Sequence, residues 1–86
     1  MSLNANERLV LEFMQREGGW WSSAELTEAL PELDKHKVRQ ALMVLVQMGD
    51  YLTPKPVSRQ ELLSKAYWPR FTAIPSPHRI NHENPH

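Results

Sequence analysis

The chain has 86 residues, 41% of them hydrophobic, with ten basic and ten acidic residues balancing to a formal net charge of zero, and it has no cysteine. A chain of this size closes one hydrophobic core and has little volume for a large cofactor cavity, while the missing thiols exclude disulfides, thiolate metal sites and cysteine nucleophiles. No apolar run reaches the roughly 18 residues of a membrane span, and Met1-Ser2-Leu3-Asn4 lacks the basic-then-apolar order of a signal peptide, so a cytoplasmic protein without a membrane partner is expected.

The first predicted helix covers 4–17. Asn4 with Glu7 three residues on forms a capping-box pattern, Leu9, Val10, Phe13 and Met14 make one apolar stripe, and Gly18-Gly19 stops the run. Trp20-Trp21 is too short for more than a brief first strand, with one indole turned inward and the other left more exposed. Ser22-Ser23-Ala24-Glu25 repeats the capping pattern and opens a second helix over 23–30, ended by Pro31, with Leu26, Ala29 and Leu30 as its apolar face. The strongest period lies in 35–48, where Asp34 caps, Val38, Ala41, Leu42, Leu45 and Val46 recur at helical spacing, and Gly49 closes the third helix.

A β-hairpin follows. Tyr51-Leu52-Thr53 is β-prone, and the prolines of Pro54-Lys55-Pro56 suit only an edge strand or an extended arm. Ala66-Tyr67-Trp68 is the predicted returning strand. Residues 58–65 between them fit either a loop or one helical turn with Ser58 capping and Glu61 answering. Trp20, Trp21, Tyr67 and Trp68 are assigned to packing between hairpin and helices rather than to a base-stacking platform, and Met14, Met43 and Met48 to filling. The expected domain spans 1–74. Residues 75–86 carry almost nothing apolar and are expected to form a flexible tail.

The order helix, short strand, helix, turn, helix, β-hairpin resembles the winged helix-turn-helix family over residues 4 to 72. Ser22-Ser23-Ala24-Glu25-Leu26 opening the second helix, the turn from Pro31 to Asp34, and Met48-Gly49-Asp50-Tyr51-Leu52 joining the third helix to the wing carry the likeness. Within that family the chain looks most like very small bacterial or phage-borne regulators, including those of pilus phase variation. The resemblance implies a mainly α fold with a small β-hairpin, a three-helix core plus wing. It also implies binding of double-stranded DNA, with the third helix in the major groove and the wing on the adjacent backbone or minor groove.

Charge and helical phase point the same way. Residues 1–34 hold two bases against seven acids, a net of −5, whereas residues 35–70 hold seven bases against two acids, a net of +5. Such a split between halves implies an anionic partner for one of them. On a wheel with Val38 at zero, the core set spans about −60° to +80°, and His36, Gln40, Met43 and Gln47 fall at about 140° to 200°, flanked by Arg39 and Lys37. Arginine pairs with guanine, glutamine with adenine, and methionine packs on a thymine methyl, so His36, Arg39, Gln40 and Met43 are the candidate base readers. Lys35 and Lys37 at the helix start, with Lys55, Arg59 and Lys65 of the wing, are the candidate phosphate contacts. Lysines and prolines on the wing also serve to block edge-to-edge pairing.

No catalytic triad pattern and no glycine-rich phosphate loop occur, so neither an enzyme nor a small-molecule substrate is expected, and no cofactor. His78, His82 and His86 have the spacing of helical metal ligands, but Pro75, Pro77 and Pro85 oppose a helix there, and no metal site is expected. One small module makes limited DNA contact, which implies a homodimer or a partner regulator. The competing expectation is a winged protein-interaction module. Its basic half would dock an acidic partner, and the acidic first helix with Val44 and Met48 would form a second docking surface.

Overall fold

The computed structural model describes residues 3–74. The chain folds as three α-helices, α1 (Ala5–Glu17), α2 (Ser23–Ala29) and α3 (Lys35–Met48), then strand β1 (Leu52–Pro54), a single-turn helix α4 (Arg59–Leu62) and strand β2 (Phe71–Ala73). It is a small, mainly helical fold with one antiparallel two-stranded hairpin. No helix among the described residues is long and apolar enough to cross a membrane.

The helix boundaries follow from local chemistry. Asn4 and Glu7 close a reciprocal capping box on α1, with Glu7 N donating to Asn4 Oδ1 at 2.8 Å and Asn4 N to Glu7 Oε1 at 3.0 Å. Ser22 and Glu25 do the same for α2. Each box satisfies two backbone donors that the helix itself leaves unpaired. Gly49 ends α3 in the left-handed region (φ 79°), which a residue with a Cβ enters only with strain.

The core is built where the stripes of the three helices meet. Val10, Leu11 and Met14 of α1, Leu26 of α2, and Val38, Ala41, Leu42 and Leu45 of α3 are buried together with Leu30, Leu33 and Leu52. Leu9 and Phe13, expected inside, are only half-buried at its margin, and Leu11, outside the expected stripe, is buried beside Val10 and Met14.

The returning strand, Phe71–Ala73, lies five residues later than the expected Ala66-Tyr67-Trp68. Leu52 pairs with Ala73, Thr53 with Thr72 and Pro54 with Phe71, and the ladder extends through Lys55 N to Arg70 O and Ile74 N to Tyr51 O, both 2.8 Å. Pro69 gives the reason. It has no N–H to donate, so a strand through Tyr67-Trp68 would break at its next residue, whereas Phe71-Thr72-Ala73 offers unbroken donors and a Thr–Thr cross-strand pair. The longer return is filled by α4, where Ser58 caps and Glu61 answers, which decides for the helical turn over 58–65.

The first strand reduces to one bridge. Trp21 pairs with Phe71 and is half-buried, edge-on to Phe13 at 5.0 Å between ring centroids. Trp20 is 39% exposed, in keeping with the alternation. Trp68, assigned to the core from sequence, is 55% exposed because it sits outside the strand it was expected to belong to; Tyr67 is half-buried. The tail 75–86, with its three histidines, lies outside the described residues.

Candidate nucleic-acid interface

Every residue proposed as a base reader is exposed: His36, Arg39, Gln40 and Met43, the last at 60%. Met43 is therefore not a filler, since the phase that buries Leu42 and Leu45 turns it outward. Gln47 continues the row one turn on and is also exposed. Within α3 the face opposite the core carries donors and no carboxylate.

The start of α3 is built against its own electrostatics. Lys35, His36 and Lys37 occupy the first turn, where the helix dipole already places positive charge, so they weaken the isolated helix and strengthen its hold on an anion. Asp34 offsets part of this as the cap, accepting from Lys37 N at 2.8 Å. That hydrogen bond is the main reason its carboxyl is held below the usual aspartate range. Unlike α1 and α2, α3 has no acid in its first turn.

Three hollows flank the exposed row. On one side a groove of about 520 Å³ runs between α3 and the returning limb, with Arg39, Met43, Val46 and Gln47 on one wall and Tyr67, Trp68, Pro69 and Phe71 on the other. Trp68 also borders a second space of about 330 Å³ shared with Lys35 and Arg39. On the other side Lys37, Gln40, Met43 and Val44 face Asn4, Asn6 and Glu7 at the start of α1 across about 250 Å³. Glu7 is held there by Asn4, at 3.0 Å from both its N and its Nδ2.

The wing bases separate into two kinds. Lys55, Arg59 and Lys65 are exposed, and among the described residues they form no ion pair, nor do Lys35, Lys37 and Arg39. Arg70 is committed. Its Nη2 lies 3.3 Å from Glu25 Oε2, joining the returning limb to the first turn of α2 across 45 residues of sequence. The Glu25 carboxyl is pulled below its usual range by the Ser22 backbone N–H first and by Arg70 second.

Three features were missed from sequence: the placement of Trp68 beside Lys35 and Arg39, the Arg70–Glu25 pair, and the outward-facing Leu62 and Leu63. Pro69 was the available signal for the first, since a proline has no N–H to give to a strand ladder. Among the described residues no group of three or more histidine or acidic side chains is arranged to hold a metal ion. Comparison with protein-family models, curated proteins and solved structures finds no match to this chain.

Proposed function

We propose that this chain is a winged helix-turn-helix protein that binds double-stranded DNA sequence-specifically and regulates transcription, without catalysis of its own. One observation carries it: α3 exposes His36, Arg39, Gln40, Met43 and Gln47 along an acid-free face, with Lys35 and Lys37, which form no ion pair among the described residues, at its positive end. The element order supports the same reading. The bridge at Trp21 lies against β2, which in turn pairs with β1, so one bridging residue, the returning strand and the outgoing strand stand side by side next to three helices.

In this function α3 lies in the major groove. Arg39 and Gln40 take bidentate contacts to base edges, His36 and Met43 read neighbouring positions, and Lys35, Lys37, Lys55, Arg59 and Lys65 neutralise phosphates. With a net charge of zero, non-specific attraction is weak, so base contacts and a second subunit or partner regulator supply the affinity. The test is selection from a randomised duplex pool at two salt concentrations. Enrichment of one sequence, with affinity falling as salt rises, is the expected result; no enrichment and no salt dependence would end the proposal.

A second function is favoured by the groove beside Trp68, whose walls are largely apolar. In it, the basic half docks an acidic protein carrying an apolar side chain that fills the groove. Pull-down with wild type and Trp68→Ser distinguishes the two: the protein partner is lost with Trp68, whereas base discrimination is lost with Arg39.

A further inference from the structure

The tip of the wing holds two leucines out of the core on a turn that is itself hydrogen-bonded throughout. Leu62 is 56% and Leu63 77% exposed. Hydrogen bonds run through the whole tip: Glu61 N to Ser58 Oγ at 3.1 Å, Leu63 N to Arg59 O at 3.1 Å, Ser64 N to Glu61 O at 3.0 Å and Tyr67 N to Ser64 O at 3.2 Å. Adjacent exposed leucines on a fixed turn leave apolar surface in water, a cost that a partner covering them removes.

The surroundings say what that partner is. Lys55, Arg59 and Lys65, which lie before and after the leucines in the chain, are exposed and form no ion pair among the described residues, and Glu61, the acid in that stretch, is turned back onto Ser58 N as the second half of the capping box. The partner is therefore polyanionic and yet accepts an apolar wedge. The limb that carries the tip back to β2 also borders the α3 face. Tyr67 and Trp68 border both the hollow of about 130 Å³ beside Lys55 and Glu61 and the groove along Arg39 and Met43. DNA lying on α3 thus reaches the wing, and a minor groove opened at a base step takes leucine in this way.

We propose that Leu62 and Leu63 are a minor-groove wedge that unstacks one base step and bends the bound duplex, with Lys55, Arg59 and Lys65 holding the phosphates on either side. This presupposes the DNA-binding function. Insertion of an apolar side chain between base pairs bends DNA by about 20° or more, toward the major groove, and so would fold the duplex around α3. The wedge adds a preference for flexible pyrimidine–purine steps at positions that α3 does not contact.

The experiment uses a duplex selected by wild type from a randomised pool, labelled at both ends for energy transfer and carrying 2-aminopurine near the wing position. Expected are a shortened end-to-end distance and a rise in 2-aminopurine fluorescence with wild type. With the double variant Leu62→Ser and Leu63→Ser a straight duplex and roughly tenfold weaker binding are expected, equivalent to about 1.4 kcal/mol, at an unchanged melting temperature. Leu63→Met should keep the bend, and Arg59→Ala should weaken binding while keeping it. A straight duplex under wild type, or an equal bend under the double variant, overturns the wedge and leaves DNA binding standing. Failure of wild type to bind any duplex overturns both. Leucine-dependent binding to phosphatidylserine vesicles, without bending of DNA, would give the leucines to a lipid surface and overturn the wedge.

Discussion

Trp21 and Phe71, fifty residues apart in sequence, exchange both backbone hydrogen bonds: Trp21 N donates to Phe71 O at 2.8 Å and Phe71 N to Trp21 O at 2.9 Å. The same Trp21 donates its indole N–H to Gly18 O at 2.7 Å and presents its ring edge-on to Phe13. One residue thereby ties the C-terminus of α1, the start of α2 and the returning strand together. The hairpin is fixed to the helices there, and its direction relative to α3 follows from it.

This register is directly measurable. In hydrogen exchange followed by NMR, the amides of Trp21, Lys55, Phe71 and Ile74, each bonded to a backbone carbonyl, should be protected. The amides of Trp68 and Arg70, for which the structure gives no backbone acceptor, should exchange fast. Protection at Trp68 with exchange at Phe71 would restore the earlier register predicted from sequence.

The core makes a sharper demand. Leu45 is fully buried between the helices, and Leu45→Ala should cost about 2–5 kcal/mol. In a domain of this size about 1 kcal/mol moves the midpoint by about 4–8 °C. Thermal unfolding by circular dichroism should therefore show a large drop. A midpoint within a degree or two of wild type would show that Leu45 does not lie in the core. Leu42→Ala should fall in the same range, with Met43→Ala near neutral as the exposed control.

The three large helices were legible because each of their boundaries is written locally. Asn4 with Glu7 and Ser22 with Glu25 are paired signals three residues apart, and Gly49 is a stop that only positive φ explains. The returning strand was not legible in the same way. Its position depends on what Phe71 meets at Trp21, a contact of long sequence separation, and β-prone aromatics at Tyr67 and Trp68 have the better local propensity. The phase of α3 gave its exposed row correctly because one periodicity decides it. The hollow that gathers Lys35, Arg39 and Trp68 depends on how the returning limb crosses α3, which no local pattern records.

Acid should loosen the wing from α2. Glu25 has a lowered folded-state pKa, so the stability it contributes is fully present above the ordinary glutamate value and is lost as pH falls through the lowered one. Both the Ser22 capping bond and the Arg70 pair weaken over that window. The expected outcome is a melting temperature that declines with acidification in wild type more steeply than in Glu25→Gln, whose side chain does not titrate. Because both partners are more than a third exposed, the effect is small and shrinks with added salt. Equal acid slopes in the two proteins would show that neither the capping bond nor the pair holds the Glu25 carboxylate in solution.

The division of labour among the bases gives the most discriminating test of the interface. Arg39→Ala or Gln40→Ala should cost about 1–3 kcal/mol on the preferred duplex and relax the base preference at one position, because a bidentate contact to a base edge is lost. Lys55→Ala, Arg59→Ala or Lys65→Ala should weaken binding to every sequence alike and lower the salt slope by roughly one for each phosphate contact removed. Arg70→Ala is the informative control. Its guanidinium is engaged with Glu25 rather than free on the wing, so it should lower stability slightly and leave the salt slope unchanged. Fluorescence anisotropy across a salt series reads all three groups on one scale. If Arg39→Ala and Gln40→Ala discriminate between duplexes as wild type does, α3 is not the reader. If Arg70→Ala changes the slope as much as Lys55→Ala does, the returning limb holds a phosphate and its tie to α2 opens when DNA binds.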